Sequence, residues 1–391
     1  MPRFRPFRAL RYATGDLPDV LAPPYDVLSE AAVAALAARS EHNIVRVDVP
    51  QDGADRYQRS AELLARWREQ GVLVLDPEPS FTIYRMQFTD ATGAARDLAG
   101  VLGGLEVVDA DAGGVLPHER ITPKASTDRL DLTRATGTNL SPVWGLSLAP
   151  GLTDLLRQPG EPLGAMEDEG VRHLVERVSD PARVAAIEAV VAADDVLIAD
   201  GHHRYAISRT YRDEVRAATG RQDTAAEETL AFVNELVPEQ LSVAAIHRLY
   251  DGIPAEEVQR ALAAWFLLEP AARPGPGTLA AMAAEGFLLL TTAAGSFSLR
   301  PRPGLFDGIR SLDGVWLETA MATTPVTVRY QHGLEETLAA VDAGTATAAV
   351  LVRPVSITEI ERTAREGLLM PPKSTFFTPK LKTGLVLRPL G

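Results

Sequence analysis

Residues 196–205 read Val-Leu-Ile-Ala-Asp-Gly-His-His-Arg-Tyr. The four apolar residues at the start are typical of a short buried strand. Beyond them, apolar and aromatic residues share one helical face, at Tyr205, Ile207, Tyr211 and Val215. The stretch therefore predicts a strand that leads through Gly201 into a helix. The N-terminus of such a helix presents backbone N–H groups and a favourable dipole to an anion.

The polar residues at this junction suit a phosphate group. Gly201 allows close approach of the backbone, and His202 and His203 can donate hydrogen bonds. Arg204 can bind a phosphate through two parallel hydrogen bonds. Asp200 could hold Mg²⁺ or act as a base. In the structural alternative, a histidine caps the helix and Arg204 pairs with a surface carboxylate. That alternative does not explain why several ionisable residues follow a buried strand in succession.

A second polar segment spans residues 116–130. His118 and Glu119 precede a predicted helix on a loop, where functional groups are commonly displayed. We take Glu119 as the candidate general base and His118 as a substrate contact. Lys124 and Arg129 are candidate phosphate ligands. The alternative is a solvated polar loop, and the presence of a lysine favours the functional interpretation.

Lysine is rare in this chain. Of the 39 basic residues only four are lysines, and they lie in two short segments, at Lys124, Lys373, Lys380 and Lys382. Lysine is a compact, titratable point charge that arginine does not replace at a site that needs it. Around residues 370–375, prolines fix an extended backbone that presents Lys373, Ser374 and Thr375 together. This set suits phosphate, although it lacks the glycines of a P-loop. A rigid strap with surface lysines is the alternative.

We therefore expect side chains from these three segments to converge on one pocket: His202, Arg204, Glu119, Lys124 and Lys373. The proline-stiffened loop of residues 22–27 adds weaker candidates for contact with a substrate, Tyr25 and Asp26. Turn formation is the alternative role for that loop.

Composition limits the class of protein. The chain has 391 residues, 46% of them hydrophobic and 23% charged, as in globular proteins of two or three domains. A net charge of −13 argues against a nucleic-acid partner. The absence of cysteine excludes disulfides, thiolate metal sites and cysteine nucleophiles. We find neither an apolar run of about 18 residues nor a signal-peptide pattern. We therefore expect a cytoplasmic protein that acts on small molecules, as a monomer or homo-oligomer.

The order of predicted elements indicates a mixed α/β fold in three regions: residues 1–110, 111–250 and 251–391. The second region would hold the catalytic core, and the third would contribute the Lys373 loop to the site. In the first, Ser29 can cap a helix that runs to about Arg39, and residues 44–49 alternate like a strand.

Several separated motifs together resemble a bacterial and archaeal family catalogued as domain of unknown function 1015. The motifs occur in the same order over nearly the whole chain, at residues 5–9, 22–27, 117–119, 128–129, 199–205, 370–375 and 379–380. This resemblance identifies a family and implies no reaction.

The segment Asp200–Arg204 also resembles the signature of free-serine kinases, which share the fold of ParB and sulfiredoxin. The resemblance implies a ParB/sulfiredoxin-like core near Val115–Arg216, with additional α/β regions on its N- and C-terminal sides. It also implies that the motif contacts nucleotide phosphates and that an upstream glutamate, here Glu119, takes a proton from the serine hydroxyl. Sulfiredoxin's own reaction requires a cysteine, which this chain lacks.

Three functions are compatible with these observations. The first is a small-molecule kinase, in which ATP, ADP or pyrophosphate donates a phosphoryl group and Mg²⁺ bridges phosphates near Asp200. Free L-serine is its favoured acceptor. The second is a metal-dependent hydrolase with His118, His202 and His203 as ligands, although adjacent histidines rarely reach one ion without strain. The third is a ParB-like nucleotide-binding regulator, and the acidic net charge counts against a DNA partner for it.

Overall fold

The computed structural model describes residues 1–13, 15, 17–51, 53–91, 93–110, 112–120 and 126–391, with the backbone alone for residues 126 and 127. These residues form two compact units. The first consists of Met1–Ser242 together with Pro379–Gly391, and the second consists of Val243–Thr378.

The first unit combines helices and strands. Its helices are α1 (Leu17–Val20), α2 (Glu30–Arg39), α3 (Val45–Asp48), α4 (Arg56–Glu69), α5 (Ser126–Thr136), α6 (Leu152–Arg157), α7 (Pro181–Val191) and α8 (His202–Thr219). Its strands are β1 (Phe4–Arg5), β2 (Leu10–Tyr12), β3 (Leu73–Leu75), β4 (Phe81–Thr89), β5 (Ala95–Glu106), β6 (Val115–Leu116), β7 (Thr138–Asn139), β8 (Val143–Ser147), β9 (Glu161–Asp168), β10 (Val171–Val178), β11 (Val196–Asp200), β12 (Glu228–Glu235) and β21 (Arg388–Pro389).

The central sheet of this unit has the strand order β6-β11-β8-β12-β5-β4-β10-β9, with β1 alongside β5. Strand β11 runs parallel to β6 and antiparallel to β8. Because it lies inside the sheet, its residues Val196 to Ala199 are at most 3% exposed. A strand that is buried on both faces has a continuous run of apolar residues, and for this reason the strand could be predicted from the sequence.

Glycines in β5 let large aromatic rings pack directly against the sheet. A Cβ on Gly100 would lie 2.3 Å from Cζ of Phe232. Phe232 is fully buried and contacts Tyr84 and Trp144 edge to face, with ring centroids 5.8 and 5.6 Å away. The missing side chain at residue 100 is therefore part of the core packing.

The second unit has its own sheet and core. Its helices are α9 (Ala255–Trp265), α10 (Thr278–Glu285), α11 (Asp313–Met321), α12 (Leu334–Asp342) and α13 (Ile357–Arg365). Its strands are β13 (Ser242–Ala244), which begins at the unit boundary, β14 (Ile246–Asp251), β15 (Phe266–Ala271), β16 (Leu288–Thr292), β17 (Gly295–Pro301), β18 (Thr327–His332), β19 (Ala348–Leu351) and β20 (Phe376–Thr378). The sheet order is β15-β17-β16-β19-β14-β18.

The mixed α/β class predicted from the sequence is confirmed. Ser29 caps α2 as expected, with its Oγ accepting a hydrogen bond from the N–H of Ala32 at 3.2 Å. Among the described helices, none has both the length and the apolar character that crossing a membrane requires.

Two expectations about the first unit differ from the structure. The prediction of a strand at residues 44–49 is wrong, because this segment contains the short helix α3. Asn43 stabilises it: its Oδ1 accepts a hydrogen bond from the N–H of Val45 at 3.0 Å, and its Nδ2 donates to the carbonyl of Leu21 at 3.1 Å. The regions 1–110 and 111–250 also share one sheet, because β5 pairs with β12.

The substitution Gly100→Ala is expected to lower the free energy of unfolding of the first unit by about 1–3 kcal/mol, the usual cost of overpacking a core. Differential scanning calorimetry would detect this as a lower unfolding temperature. Gly275→Ala is the control, because a Cβ there meets no atom within 4 Å. Equal thermal stability of both variants and the wild type would contradict this description of the core.

Candidate functional site

The junction between β11 and α8 has the predicted form. Strand β11 ends at Asp200, Gly201 takes a left-handed conformation with φ 87°, and α8 begins at His202. A Cβ at residue 201 would be strained at this φ and would lie 3.0 Å from Nε of Arg204. Among the described residues, no side chain caps this helix. Its first-turn N–H groups therefore point towards the site without a capping side chain.

Two neighbouring strands hold Arg204 in place. Its Nη2 donates to Oδ2 of Asp200 at 2.8 Å, and its Nη1 donates to the carbonyl of Pro142. These acceptors are adjacent because Pro142 precedes β8, whose Trp144 lies opposite Asp200 in the sheet. Burial lowers the pKa of Arg204, but Asp200 together with Asp26, Tyr25 and Asp48 raises it above its usual value. Arg204 is therefore a fixed, permanent cation.

Asp200 has a second cationic partner. Nζ of Lys380 lies 3.3 Å from its Oδ1. Lys380 reaches the site because the C-terminal segment pairs with the N-terminal loop, through reciprocal backbone hydrogen bonds between Thr383 and Ala22. Burial raises the pKa of Asp200, but Lys380 and Arg204 together hold it well below its usual range. The ionised carboxylate thus positions two cations at the end of β11.

Two histidines meet beside these charges. Because β6 pairs in parallel with β11, with Leu116 opposite Leu197, His118 lies next to the end of β11. Its Nδ1 donates to the carbonyl of Ile198 at 2.7 Å. The backbone N–H of His118 donates to Nε2 of His202 at 3.4 Å, and the ring centroids are 4.7 Å apart.

Both rings are neutral at neutral pH. Burial lowers the pKa of His118 to about 4, against the opposing effect of the hydrogen bond to Ile198. Burial, and next the neighbouring His118, lower the pKa of His202 well below its usual range. The pair can therefore orient a ligand by hydrogen bonds but adds no positive charge.

A small chamber of about 50 Å³, lined by polar and apolar side chains, adjoins Arg204. Arg129 lines it and stacks over the ring of Tyr25, with Cζ 4.3 Å from the ring centroid. Arg129 also pairs with Oδ1 of Asp48 at 3.2 Å and with Oδ2 of Asp128 at 2.8 Å. In this arrangement the predicted phosphate ligand Arg129 is neutralised by two carboxylates.

The other predicted site residues occupy different positions. Glu119 directly follows His118 and is partly exposed. His203 lies in the first turn of α8 and is also partly exposed. Asp26 is exposed beside the chamber residue Tyr25. Their predicted roles stay predictions.

Two of the predicted phosphate-binding residues are lysines, Lys124 and Lys373. Lys124 lies outside the described residues. Lys373, Ser374 and Thr375 belong to the second unit, where Oγ of Ser374 donates to the carbonyl of Pro371 at 2.7 Å. The predicted convergence of Lys373 with the junction residues stays a prediction.

The residues at the junction do not form a metal site in this arrangement. Within the described ranges there is no group of three or more His, Asp or Glu side chains that could hold a metal ion. The ligand cluster His118, His202 and His203 of the hydrolase hypothesis is therefore not assembled there. Both oxygens of Asp200 face cations, so this carboxylate does not fit Mg²⁺ as a ligand either.

Sequence reasoning missed two residues of the site. Lys380 stood out as one of four lysines, but nothing local connected it to Asp200. Asp48 gave no signal, because it lies in the segment that alternates like a strand. Both reach the site only through contacts between distant parts of the chain.

Fold and site together define a mixed α/β protein in which a carboxylate at a strand-to-helix junction holds two cationic side chains. The chain belongs to the family described as Protein of unknown function (DUF1015), whose sequence model matches residues 4–315. The family membership expected from the separated motifs is confirmed. None of the curated proteins matches the sequence.

Several solved structures are similar to this chain at low identity. A free serine kinase in complex with AMP is 15% identical, with a TM-score of 0.39, and the match covers 70% of this chain and 89% of that one. A conserved hypothetical protein from Pyrococcus furiosus is 15% identical, with a TM-score of 0.38, covering 68% and 87%. SbnI with a C-terminal truncation, from Staphylococcus aureus, is 12% identical, with a TM-score of 0.40, covering 74% and 87%.

Because His118 is neutral in the folded protein, the free energy of unfolding should depend on pH. Its pKa is about 4 in the folded protein and about 6.5 in an unfolded chain, so only the unfolded state gains the proton between these values. The free energy of unfolding should therefore fall as the pH is lowered from about 6.5 to about 4. NMR titration of the folded protein should show the His118 ring unprotonated at pH 5.5. A ring that titrates near pH 6.5 would contradict the burial described here.

Proposed function

We propose that this protein is a phosphotransferase that moves a phosphoryl group from ATP, ADP or pyrophosphate to the hydroxyl of a small molecule, with free L-serine as the favoured acceptor. The observation that carries the proposal is the pair of cations, Arg204 and Lys380, fixed on Asp200 at the N-terminus of α8. The serine acceptor rests on the likeness of the Asp-Gly-His-His-Arg motif to the free-serine kinase signature.

The charges support phosphate binding. In phosphoryl transfer the protein mainly positions the reacting groups and neutralises charge on the phosphate oxygens. The guanidinium of Arg204 and the ammonium of Lys380 would supply that charge, and both are already held by Asp200. Backbone N–H groups in the first turn of α8, from Gly201 and His202 onward, would add hydrogen bonds without further reorganisation.

Glu119 is the better candidate for the base. Asp200 has a strongly lowered pKa, so it accepts a proton poorly, and its oxygens already face two cations. We assign it the role of positioning Arg204 and Lys380. Glu119 is partly exposed next to His118, where an acceptor hydroxyl could approach it. Neutral His202 would orient the ligand by hydrogen bonding.

The substitution Glu119→Gln tests this assignment. Loss of a general base costs about 10²–10⁴-fold in rate, so kcat for phosphoserine formation should fall by that factor while the KM for the donor stays within about twofold. Phosphoserine would be measured by mass spectrometry after incubation with L-serine, Mg²⁺ and ATP, ADP or pyrophosphate in turn.

The matched control is Glu239→Gln, because Glu239 is an exposed glutamate elsewhere in the first unit. Its kcat should equal that of the wild type. Wild-type protein that forms no phosphoserine with any of the three donors would refute the serine kinase proposal. Full activity of Glu119→Gln would refute only the role of the base.

A further inference from the structure

His118 is completely buried, although the sequence predicts it as a substrate contact. Its exposed fraction is 0%. A side chain without accessible surface does not touch a bound substrate, so it can act only through its neighbours. Two of its contacts lie on either side of the turn at Gly201, one with strand β11 and one with the first residue of α8. The parallel pairing of β6 with β11 places it next to both.

The contact with β11 determines the tautomer of His118. Its Nδ1 lies 2.7 Å from the carbonyl oxygen of Ile198. A carbonyl oxygen only accepts hydrogen bonds, so Nδ1 carries the proton of this ring. The bond holds the imidazole, and with it the main chain of residue 118, against the end of β11.

The contact with α8 determines the tautomer of His202. The main-chain N–H of His118 donates to Nε2 of His202 at 3.4 Å. A main-chain N–H only donates, so Nε2 is the acceptor and carries no proton. The proton of the ring is therefore on Nδ1, because the hydrogen bond that one ring nitrogen makes sets the protonation of the other. Edge-to-face packing of the two rings, at an interplanar angle of 71°, opposes rotation of His202 out of this bond.

The nitrogen of His202 that carries the proton is open to a ligand. Within the described part of the chain, no residue forms a hydrogen bond with Nδ1 of His202. His202 is partly exposed and is the first residue of α8, whose first-turn N–H groups have no capping side chain among the described residues. A ring N–H is a donor, and an anion at a helix N-terminus is an acceptor. The two are therefore complementary at this position.

We propose that His118 is a positioning residue that keeps His202 in the tautomer with the proton on Nδ1, so that Nδ1 rather than Nε2 donates to an oxygen of the phosphoryl donor. This inference rests on the proposed phosphotransferase function, because it takes the anion at the N-terminus of α8 to be a phosphate. A donor that is fixed in advance needs no reorganisation when the phosphate arrives. In the competing role, His118 only fills space beside the end of β11.

NMR of wild-type protein labelled with ¹⁵N in its histidine rings tests the tautomers directly at neutral pH. Couplings between the ring nitrogens and the carbon-bound ring protons distinguish a protonated from an unprotonated nitrogen. We expect His118 and His202 both to carry the proton on Nδ1. Pyrophosphate should shift the Nδ1 resonance of His202 and leave the ring of His173, a buried histidine in β10, unchanged. A proton on Nε2 of His202, or an Nδ1 resonance that does not move when pyrophosphate is bound, would overturn the proposal.

A pair of amide variants tests which atom of His202 is the donor. The amide nitrogen of asparagine takes about the position of Nδ1, and that of glutamine takes about the position of Nε2. His202→Asn should therefore bind pyrophosphate within about threefold of the wild type, whereas His202→Gln should bind it about tenfold or more weakly. Isothermal titration calorimetry would measure both affinities. Equal affinities of the two variants, or tighter binding by His202→Gln, would contradict the assignment of Nδ1.

A second pair tests His118 as the positioning residue. His118→Leu removes the donor to Ile198, and His118→Asn is its matched control, because the amide nitrogen can still donate to that carbonyl. His118→Leu should show a proton on Nε2 of His202 in part of the molecules and should weaken pyrophosphate binding about tenfold. His118→Asn should keep the wild-type tautomer and affinity. A folded His118→Leu variant that also keeps both, as expected of a residue that only fills space, would overturn the proposal. If this variant does not fold, the wild-type spectrum and the His202 pair decide.

Failure of this inference can be separated from failure of the phosphotransferase proposal. If no donor yields phosphoserine but pyrophosphate shifts the Nδ1 resonance of His202, the reaction is wrong and the phosphate contact stands. If phosphoserine forms and that resonance does not move when pyrophosphate binds, the reaction stands and the role assigned to the two histidines is wrong.

Discussion

The arrangement of the site depends on one ionised carboxylate, Asp200, at the end of a buried strand. Its two oxygens hold Arg204 and Lys380, which come from the following helix and from the C-terminal segment. Because the two cations outweigh burial, the pKa of this carboxyl is low and its charge is permanent at neutral pH. Buried cations that would otherwise repel each other are therefore kept close together, where an anion can approach them.

The sheet makes this interaction possible. Strand β11 lies between β6 and β8, and each neighbour delivers one group to its end: β6 brings His118, and β8 brings the carbonyl of Pro142. The left-handed Gly201 then turns the chain into α8 with Arg204 close to the backbone. Charge, hydrogen-bond donors and a helix N-terminus are thus brought together by ordinary strand pairing. Burial keeps both histidines neutral, and the pairing of β6 with β11 places His118 beside the ring of His202.

Features that are determined by residues close together in the sequence could be predicted, and features that depend on residues far apart in the chain could not. The junction of β11 and α8 was predicted correctly because an apolar run, a glycine and helical spacing are local signals. The helix α3 was mistaken for a strand, since Asn43 and distant backbone groups decide its conformation. The contacts of Asp48 and Lys380 escaped prediction for the same reason, because pairing between distant parts of the chain is not determined by a single segment.

The most direct measurement of the central claim is a crystal structure of the protein with pyrophosphate bound. The account predicts phosphate oxygens within hydrogen-bonding distance of the first-turn N–H groups of α8 and of the side chains of Arg204 and Lys380. Asp200 should keep at least one of its two cations. Pyrophosphate bound elsewhere, with the end of β11 left unchanged, would contradict the assignment of this junction as the phosphate site.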